Sequence, residues 1–383
     1  MKQVLDLGDQ PWGNDFRVTE DAPKYPLKLV FCQNCGTPQL SGNVPKNVMF
    51  ADHTYLSGST KTLSAYFREC AHYVYDNLTS AGSVMDIGSN DGTQLKYYQE
   101  LGFEVLGVEP SATACASARE RGIPTDQEFF NLNYAKKSEK RFDVINASGV
   151  FFHLEELHSA CQAIKILLKD DGIFLVHCLY MKSICENTAF DQIYHEHLLY
   201  YNLTNLRFLL NRFGLEVQSC SLHPIHGGTL RVVVTHIETA EVDQSIHDFL
   251  YSEQVNGVNR IEYYEDFASR VRVLREKNIN YVRRCLRDKK VIYGLGAPVK
   301  GNTLLNFFGF GVDEIKCLTE INELRRGTVA PGSNIPVVID DEINQQPDIY
   351  FVLAWNFKAE ILRRYADLIE DGVEFYFPIE VKS

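Results

Sequence analysis

The stretch Met85-Asp86-Ile87-Gly88-Ser89-Asn90-Asp91-Gly92-Thr93 leads from an apolar strand into a helix through two glycines. Glycine tolerates the tight turn between the two elements, so a ligand can approach bare backbone at the carboxyl edge of the sheet. Twenty-one residues after Gly88, the next apolar strand ends in Val108-Glu109-Pro110. A carboxylate at that point can accept hydrogen bonds from both hydroxyls of a ribose. The pair predicts a Rossmann-like fold that binds a nucleoside.

The spacing of the glycines indicates which nucleoside this loop accommodates. A dinucleotide site has three glycines in the pattern Gly-x-Gly-x-x-Gly, whereas this loop has only Gly88 and Gly92. Asn90 and Asp91 add polar groups and negative charge, which disfavour a pyrophosphate and suit the ammonium group of an amino-acid tail. We therefore predict S-adenosylmethionine as the cofactor. Its expected contacts are Asp86, Gly88, Ser89, Asn90, Asp91, Gly92, Glu109 and Pro110, with Asn146 and Ala147 completing the adenine pocket.

Apolar strands alternate with helical segments on both sides of this loop, which is typical of βαβ units and a parallel sheet. The predicted strands are 83–87, 104–108, 142–147, 172–177, 291–293, 315–318 and 349–353, with a bridging helix within 242–287. We predict an α/β protein of three parts. These are a small irregular N-terminal module (1–60), a Rossmann-like domain that binds the cofactor (61–240) and a bridging helix with a C-terminal Rossmann-like α/β domain (241–383).

Composition excludes several classes of partner. The 383 residues carry a formal net charge of −12, which disfavours binding to a nucleic-acid backbone. No window approaches the roughly 18 unbroken apolar residues of a membrane span, and residues 1–15 do not resemble a leader, so we expect a cytoplasmic protein. Ten cysteines are scattered along the chain, and only Cys32 and Cys35 have metal-ligand spacing. Most of the other eight are expected to be buried apolar residues.

A second group of polar residues is Phe190-Asp191-Gln192-Ile193-Tyr194-His195-Glu196-His197. A histidine here can remove a proton near neutral pH, which makes the segment a candidate site of general-base catalysis. Two alternatives remain open. His195 and His197 would share one face of a strand and could ligate zinc, or the cluster could be purely structural.

Two glycine turns lie further along the chain. His226-Gly227-Gly228-Thr229-Leu230-Arg231 places a cation at the start of a strand, and the stretch from Gly294 to Thr303 contains Lys300 and Asn302. Glycine-rich backbone next to a cation suits a phosphate or sugar hydroxyls. Taken alone, the first of these motifs is equally consistent with a hairpin turn and a solvated arginine.

These motifs, in this order and together with Leu353-Ala354-Trp355-Asn356, closely resemble the three-domain sugar C-methyltransferases over nearly the whole chain. The resemblance implies that residues 1–60 are a zinc-binding-like module and residues 61–240 a class I Rossmann-like methyltransferase domain. It implies methylation of a carbon beside the ketone of a 4-keto-deoxyhexose linked to a nucleoside diphosphate. It also implies that His197 is the catalytic base, with Tyr194 and Glu196 as companions and His153 as a sugar contact. The remaining residues expected at the small-molecule substrate are His195, His226, Gly227, Gly228, Arg231, Lys300 and Asn302.

The sequence departs from that family in three places. Relatives carry two Cys-x-x-Cys pairs that hold structural zinc, whereas only Cys32 and Cys35 are present here, and nearby Asp52 and His53 have no recognisable ligand spacing. Both loss of the metal and a truncated start remain open. Gly149 stands where relatives commonly have asparagine, and His177 replaces a frequent glutamate, which indicates a different sugar pocket.

Two rival functions remain at this stage. An NAD-dependent oxidoreductase would use Gly294 and Gly296 with Glu320 as the ribose acid, but Val299 occupies the position of the third glycine. A catalytically silent sugar-nucleotide or cofactor-binding protein is the other rival, and the intact Tyr194 to His197 run argues against it. The sequence does not determine the oligomeric state.

Overall fold

The computed structural model describes residues 1–17, 22–50, 57–59, 61–77, 79 and 82–380. Three sheets follow one another along the chain. A single hydrophobic cluster includes side chains from all three of them, such as Leu5, Ile87 and Phe351. No helix in the described part of the chain is both long enough and apolar enough to cross a bilayer.

The N-terminal module is more regular than expected. Strands β1 (Lys2–Pro11), β2 (Lys24–Phe31) and β3 (Pro38–Leu40) form an antiparallel sheet, and helices α1 (Lys46–Phe50) and α2 (Lys61–Asn77) follow it. Register shifts at Gln3/Leu5 and Asp6/Asp9 interrupt the pairing of β1 with β2. Such bulges break the two-residue alternation by which a strand is recognised in a sequence, which explains why the sheet was missed.

The central domain contains a seven-stranded sheet in the order β6-β5-β4-β7-β8-β10-β9, in which only β10 is antiparallel to its neighbours. Its strands are β4 (Ser83–Ile87), β5 (Glu104–Val108), β6 (Thr125–Asp126), β7 (Phe142–Ser148), β8 (Leu168–Leu179), β9 (Leu215–His223) and β10 (Thr229–His236). Its helices are α3 (Thr93–Glu100), α4 (Ala112–Glu120), α5 (Leu132–Lys137), α6 (Leu157–Leu167), α7 (Met181–Glu186) and α8 (Leu203–Asn211). The predicted bounds of β4 and β5 are confirmed.

The bridging segment is two helices rather than one, α9 (Gln244–Asn256) and α10 (Ile261–Arg287). Gly257, with φ of 71°, ends α9 because a left-handed residue cannot continue a right-handed helix. The C-terminal sheet is fully parallel in the order β13-β12-β11-β14-β15. Its elements are β11 (Ile292–Leu295), α11 (Val299–Phe308), β12 (Leu318–Glu320), β13 (Val337–Ile339), β14 (Ile349–Val352), α12 (Lys358–Arg364), α13 (Ala366–Glu370) and β15 (Glu374–Tyr376). The strand predicted at 315–318 begins only at Leu318.

The three parts of the chain meet around Asp191 and Glu196, and we refer to this region as the cleft. Trp355, which follows β14, donates its indole N–H to Asp191 of the central domain. Trp12, which follows β1, donates its indole N–H to Glu196. The carboxyl ends of parallel strands are where α/β sheets bind ligands, so this convergence positions the candidate site.

Candidate active site

The loop after β4 requires its glycines. Gly88 and Gly92 have φ of 66° and 74°, and Asn90 has φ of 50°. A Cβ atom at Gly88 would lie 2.8 Å from Cγ2 of Val150, so a larger residue would be strained and would also collide with Val150. The bare backbone at the end of β4 is therefore built into the fold.

Glu109 is fixed beside this loop at the end of β5. Its carboxylate accepts hydrogen bonds from the backbone N–H of Asn90 at 3.0 Å and from that of Ser111 at 2.8 Å. Asp86 is buried nearby, and burial together with the negative charge of Glu109 raises the pKa of Asp86 well above its usual value. Two acids thus converge on the edge of the sheet.

Three buried polar atoms at this edge have no hydrogen-bond partner among the described residues. They are Oδ1 of Asp86, Oγ of Ser89 and Nδ2 of Asn146. Buried polar groups in proteins are nearly always paired, so these orphaned atoms fit a polar ligand that supplies the missing partners. Ala147 is buried beside Asn146, and Pro110 follows Glu109 at the rim. The donor and acceptor set agrees with an adenosyl amino acid.

The expected role of Asp91 is corrected by the structure. Its carboxylate lies 3.0 Å from the guanidinium of Arg121 and also accepts hydrogen bonds from Thr93 and from the backbone of Gly58. Asp91 therefore holds the loop to α4 and to the segment before α2 rather than receiving an ammonium group. Asp86 is the better candidate for that contact, because its Oδ1 has no described partner.

The segment that carries the candidate base is not a strand. It is a 3₁₀ turn at Phe190–Gln192 followed by a second turn, so His195 and His197 do not share the face of a strand. His195 packs edge-on against the ring of Tyr25 and contacts the backbone oxygen of Tyr25 at 3.3 Å. Among the described residues no cluster of three or more His, Cys, Asp or Glu could hold a metal ion. The shared strand face on which the zinc alternative for this histidine pair depends is therefore not present.

One ring nitrogen of His197 forms a hydrogen bond with the backbone, which fixes the orientation of the ring. Its Nδ1 donates to the backbone oxygen of Gln192 at 2.7 Å, so the neutral ring carries its lone pair on Nε2. Nε2 makes no hydrogen bond with the described residues. Burial, the nearby imidazole of His153 and the charge of Lys300 lower the pKa of His197 well below its usual value. The imidazole is thus neutral, with an accepting nitrogen, at neutral pH.

Aromatic and polar neighbours surround this imidazole. The ring of Tyr194 lies 3.9 Å from that of His197, and the ring of His153 lies 5.2 Å away. His153 in turn donates through Nδ1 to the backbone oxygen of Glu196. The structure therefore brings together Tyr194, Glu196, His197 and His153, as the sequence predicts.

Lys300 reaches the same cleft from the first turn of α11. Its ammonium group lies 2.6 Å from Oδ1 of Asn356, 4.0 Å from Asp191 and 4.3 Å from the centre of the Trp355 ring. Burial lowers its pKa to about 8, partly offset by Asp191. His226 lies nearby, and desolvation together with the charge of Lys300 lowers its pKa.

Arg231 does not reach this cluster as expected. Its guanidinium lies 3.3 Å from Glu69 and 4.0 Å from the centre of the Tyr73 ring, both on α2. The side chain therefore joins β10 to α2 and is already paired with a carboxylate. Its predicted role as a substrate cation is corrected to a structural one.

The other predicted substrate residues have structural contacts at the cleft. A Cβ atom at Gly227 would lie 3.2 Å from the Trp355 ring, and one at Gly228 would lie 2.6 Å from the side chain of Ser183. Asn302 donates to the backbone oxygen of Gly13 at 2.6 Å, and its Oδ1 has no described partner.

Cys32 and Cys35 lie at the turn between β2 and β3, and Sγ of Cys35 contacts Oγ1 of Thr37 at 3.2 Å. Burial acts to raise the pKa of Cys32, but backbone N–H groups at Cys35 and Asn34 outweigh it and lower that pKa. The pair supplies two of the four ligands that structural zinc needs. Asp52 and His53 lie outside the described residues. The other eight cysteines are buried, as predicted.

Sequence reasoning missed several residues of the cleft. Trp12, Gly13, Asn14 and Phe16 enter it from the N-terminal module, and Arg325 enters from the turn after β12. The sequence contains only two tryptophans, Trp12 and Trp355, and both lie here. Their rarity was the one signal by which these positions could have been singled out. Nothing local in the sequence distinguishes Arg325 from its neighbour Arg326.

Comparison with known proteins agrees with this geometry. Residues 224–380 match the family described as "C-methyltransferase C-terminal domain", residues 62–220 match "Methyltransferase domain" and residues 1–50 match "Putative zinc binding domain". C-methyltransferase NovU of Streptomyces niveus is 28% identical over 98% of this chain and 92% of that protein. The chain is thus similar to this C-methyltransferase over nearly its whole length. It is a methyltransferase that uses S-adenosylmethionine.

Other relatives match only part of the chain. A ubiquinone biosynthesis O-methyltransferase of Methylobacterium nodulans is 31% identical over 30% of this chain and 50% of that protein. The solved structure of the PH0226 protein of Pyrococcus horikoshii aligns over 51% of this chain and 100% of its own. The two chains are 15% identical, and the TM-score is 0.39.

Proposed function

We propose that this C-methyltransferase methylates the carbon beside the ketone of a nucleotide-linked 4-keto-deoxysugar. The observation that carries the proposal is the neutral imidazole of His197, whose Nδ1 is bound to Gln192 and whose pKa is lowered. A carbon beside a ketone becomes nucleophilic when a base removes its proton, and a neutral histidine is suited to that step.

Each companion residue has a role in this scheme. His197 accepts the proton from the sugar carbon, while Tyr194 donates a hydrogen bond to the enolate oxygen that forms. His153 and Glu196 orient the sugar. When bound at the edge of the central sheet, S-adenosylmethionine supplies the methyl group of its sulfonium. The electron pair of the former C–H bond would then form the new C–C bond, while the methyl C–S bond would break with its electron pair left on sulfur, giving S-adenosylhomocysteine.

The three-domain arrangement suits a reaction whose barrier is lowered mainly by holding two substrates in contact. Holding two reactants in contact contributes up to about 7–11 kcal/mol to lowering a barrier, whereas a general base contributes about 10²- to 10⁴-fold in rate. Holding the two substrates in contact therefore contributes more to the rate than the general base does. A cleft made by three domains suits this positioning, because each domain contributes residues to one site.

The test of the base is the His197→Ala variant, with the exposed His72→Ala as its matched control. We expect His197→Ala to keep its affinity for S-adenosylhomocysteine and to lose methyl transfer by at least about 10²-fold. Deuterium exchange from solvent at the acceptor carbon should stop as well. Retained exchange would identify another base, whereas His72→Ala should behave as the parent protein does.

The cofactor placement is tested separately at Glu109. Glu109→Ala removes the carboxylate proposed to bind the ribose, so the dissociation constant of S-adenosylhomocysteine should rise at least about tenfold. Glu104→Ala, at the exposed start of the same strand, is the control. An unchanged affinity in Glu109→Ala would mean that the cofactor lies elsewhere.

The acceptor is identified with a panel of 4-keto sugar nucleotides incubated with S-adenosylmethionine and analysed by mass spectrometry. The proposal expects a gain of one methyl group on a 4-keto sugar nucleotide. Absence of methylation across the panel, with tight cofactor binding intact, would contradict the proposed substrate class.

A further inference from the structure

We propose that Arg325, oriented by Phe16 and Asn14, binds the diphosphate group of the nucleotide-linked substrate. The inference rests on the proposed function and assigns the part of the substrate that the reacting residues do not contact. Arg325 is the last residue of a 3₁₀ turn, Glu323–Arg325, which follows the carboxyl end of β12.

The guanidinium of Arg325 is held in a fixed plane. Its central carbon lies 3.6 Å from the centre of the Phe16 ring, and its Nη2 donates to Oδ1 of Asn14 at 3.0 Å. Stacking on one face leaves the edge of the guanidinium available, and arginine has five N–H donors. An oriented fork of this kind matches two phosphate oxygens at once.

The charge of Arg325 lacks a close counter-ion. Among the residues that the structure describes, no carboxylate oxygen lies within 4.0 Å of its guanidinium. The adjacent Arg326, in contrast, pairs with Glu323 and with Glu342. Burial lowers the pKa of Arg325 to about 10, so the side chain keeps its charge at neutral pH. A half-buried cation without an ion pair is suited to an anionic ligand.

Two carboxylates lie farther from Arg325, and both have other donors. Glu320 accepts hydrogen bonds from the backbone N–H groups of Ala297, Ile321 and Asn322. Glu196 accepts the indole N–H of Trp12. These carboxylates raise the pKa of Arg325 through the electrostatic field, against the effect of burial.

One loop of the N-terminal module links Arg325 to the region of the candidate base. Trp12 contacts Glu196, which is adjacent to His197, and Asn14 contacts Arg325. Trp12 and Asn14 are two residues apart, so their Cα atoms are separated by at most about 7 Å. One short loop thus connects the reacting end of the cleft to the arginine, as a sugar linked to a diphosphate would.

The other cations that the sequence predicted at the substrate are less suited to this role. Lys300 is 4.0 Å from Asp191 and is already bound to Asn356. Arg231 is paired with Glu69 on α2. Of the three, Arg325 alone combines a planar fork with the lack of a described ion pair.

The test compares Arg325→Gln with Arg326→Gln by titration calorimetry with UDP, dTDP, the matching unphosphorylated nucleosides and S-adenosylhomocysteine. Arg325→Gln should raise the dissociation constant of the bound nucleoside diphosphate by about tenfold to 100-fold. It should leave the affinities for the nucleoside and for S-adenosylhomocysteine unchanged. Arg326→Gln should match the parent protein in all of them. With the sugar nucleotide as acceptor, KM should rise much more than kcat falls.

A second measurement uses the unsubstituted protein and does not depend on the folding of a variant. Phenylglyoxal modifies accessible arginines, and mapping of the peptides should show that UDP or dTDP protects Arg325 but not Arg326. Unchanged diphosphate affinity in Arg325→Gln, or unprotected Arg325 in a protein that binds the diphosphate, would overturn this inference alone. Failure of the parent protein to bind either nucleoside diphosphate would overturn the proposed substrate class as well.

Discussion

The imidazole of His197 lies among the rings of Phe152, His153 and Tyr194, where water is largely excluded. Its chemistry follows from two local facts. The backbone oxygen of Gln192 fixes the proton on Nδ1, and burial disfavours a second proton on Nε2. The same side chain on an exposed turn would be partly protonated near its usual pKa.

This environment predicts the acid limb of the pH profile. The pKa of His197 is lowered from 6.5, so protonation inactivates the base only as the pH falls below 6.5. We expect kcat/KM for methyl transfer to be level above that value and to fall below it, with a slope that approaches one. Rates measured from pH 5 to pH 8 check this. An acid limb centred above pH 6.5 would contradict it, and His72→Ala should leave the profile unchanged.

At the scale of elements, the turn from β4 to α3 shows why glycine is needed at particular points. Gly88 and Gly149 both have positive φ, of 66° and 72°. Only Gly88 is crowded, since a Cβ atom there would meet Val150 at 2.8 Å while one at Gly149 would meet nothing within 4 Å. Alanine substitutions at the two positions therefore distinguish the cost of backbone strain from the cost of a steric collision.

We expect Gly149→Ala to lower the free energy of unfolding by about 1–2 kcal/mol, which is the cost of a left-handed conformation. Gly88→Ala should lower it further and should also weaken binding of S-adenosylhomocysteine. Gly149→Asn should be milder than Gly149→Ala, because asparagine tolerates this conformation. Urea denaturation measures all three. Equal losses for both alanine variants would show that the collision with Val150 is relieved by small shifts.

Elements with a regular pattern could be predicted from the sequence, and the others could not. β4 and β5 are short apolar runs that end in a glycine loop and an acid, and their bounds were predicted correctly. β1 was missed because two bulges break its alternation. The end of α9 at Gly257 was missed, although glycine is the usual residue after a helix C-terminus.

At the scale of the whole molecule, the central and C-terminal domains are joined through buried polar contacts. Asp191 has no exposed side chain, accepts the indole N–H of Trp355 at 2.6 Å and lies 4.0 Å from Lys300. The other oxygen of Asp191 has no partner among the described residues. Loss of the indole donor would leave this carboxylate poorly satisfied.

We therefore expect Trp355→Phe to lower the free energy of unfolding by about 1–3 kcal/mol and to reduce methyl transfer, with cofactor affinity retained. Tyr350→Phe is the control, because it removes a hydrogen bond to Gln346 within the C-terminal domain. Calorimetry and methyl-transfer assays measure both effects. Equal activity in Trp355→Phe and the parent protein would argue against a role for this contact in shaping the cleft.

The sequence by itself determined the α/β class, the loop at Gly88, the acid at Glu109 and the segment that contains His197. These features depend on residue periodicity and on the conformational demands of glycine, which act over a few residues. The tertiary structure alone decided which charges meet. Asp91 pairs with Arg121, 30 positions away, Arg231 pairs with Glu69 across 162, and Arg325 contacts Asn14 across 311. Charge pairing depends on distance in space, and a linear pattern does not encode the packing that sets that distance.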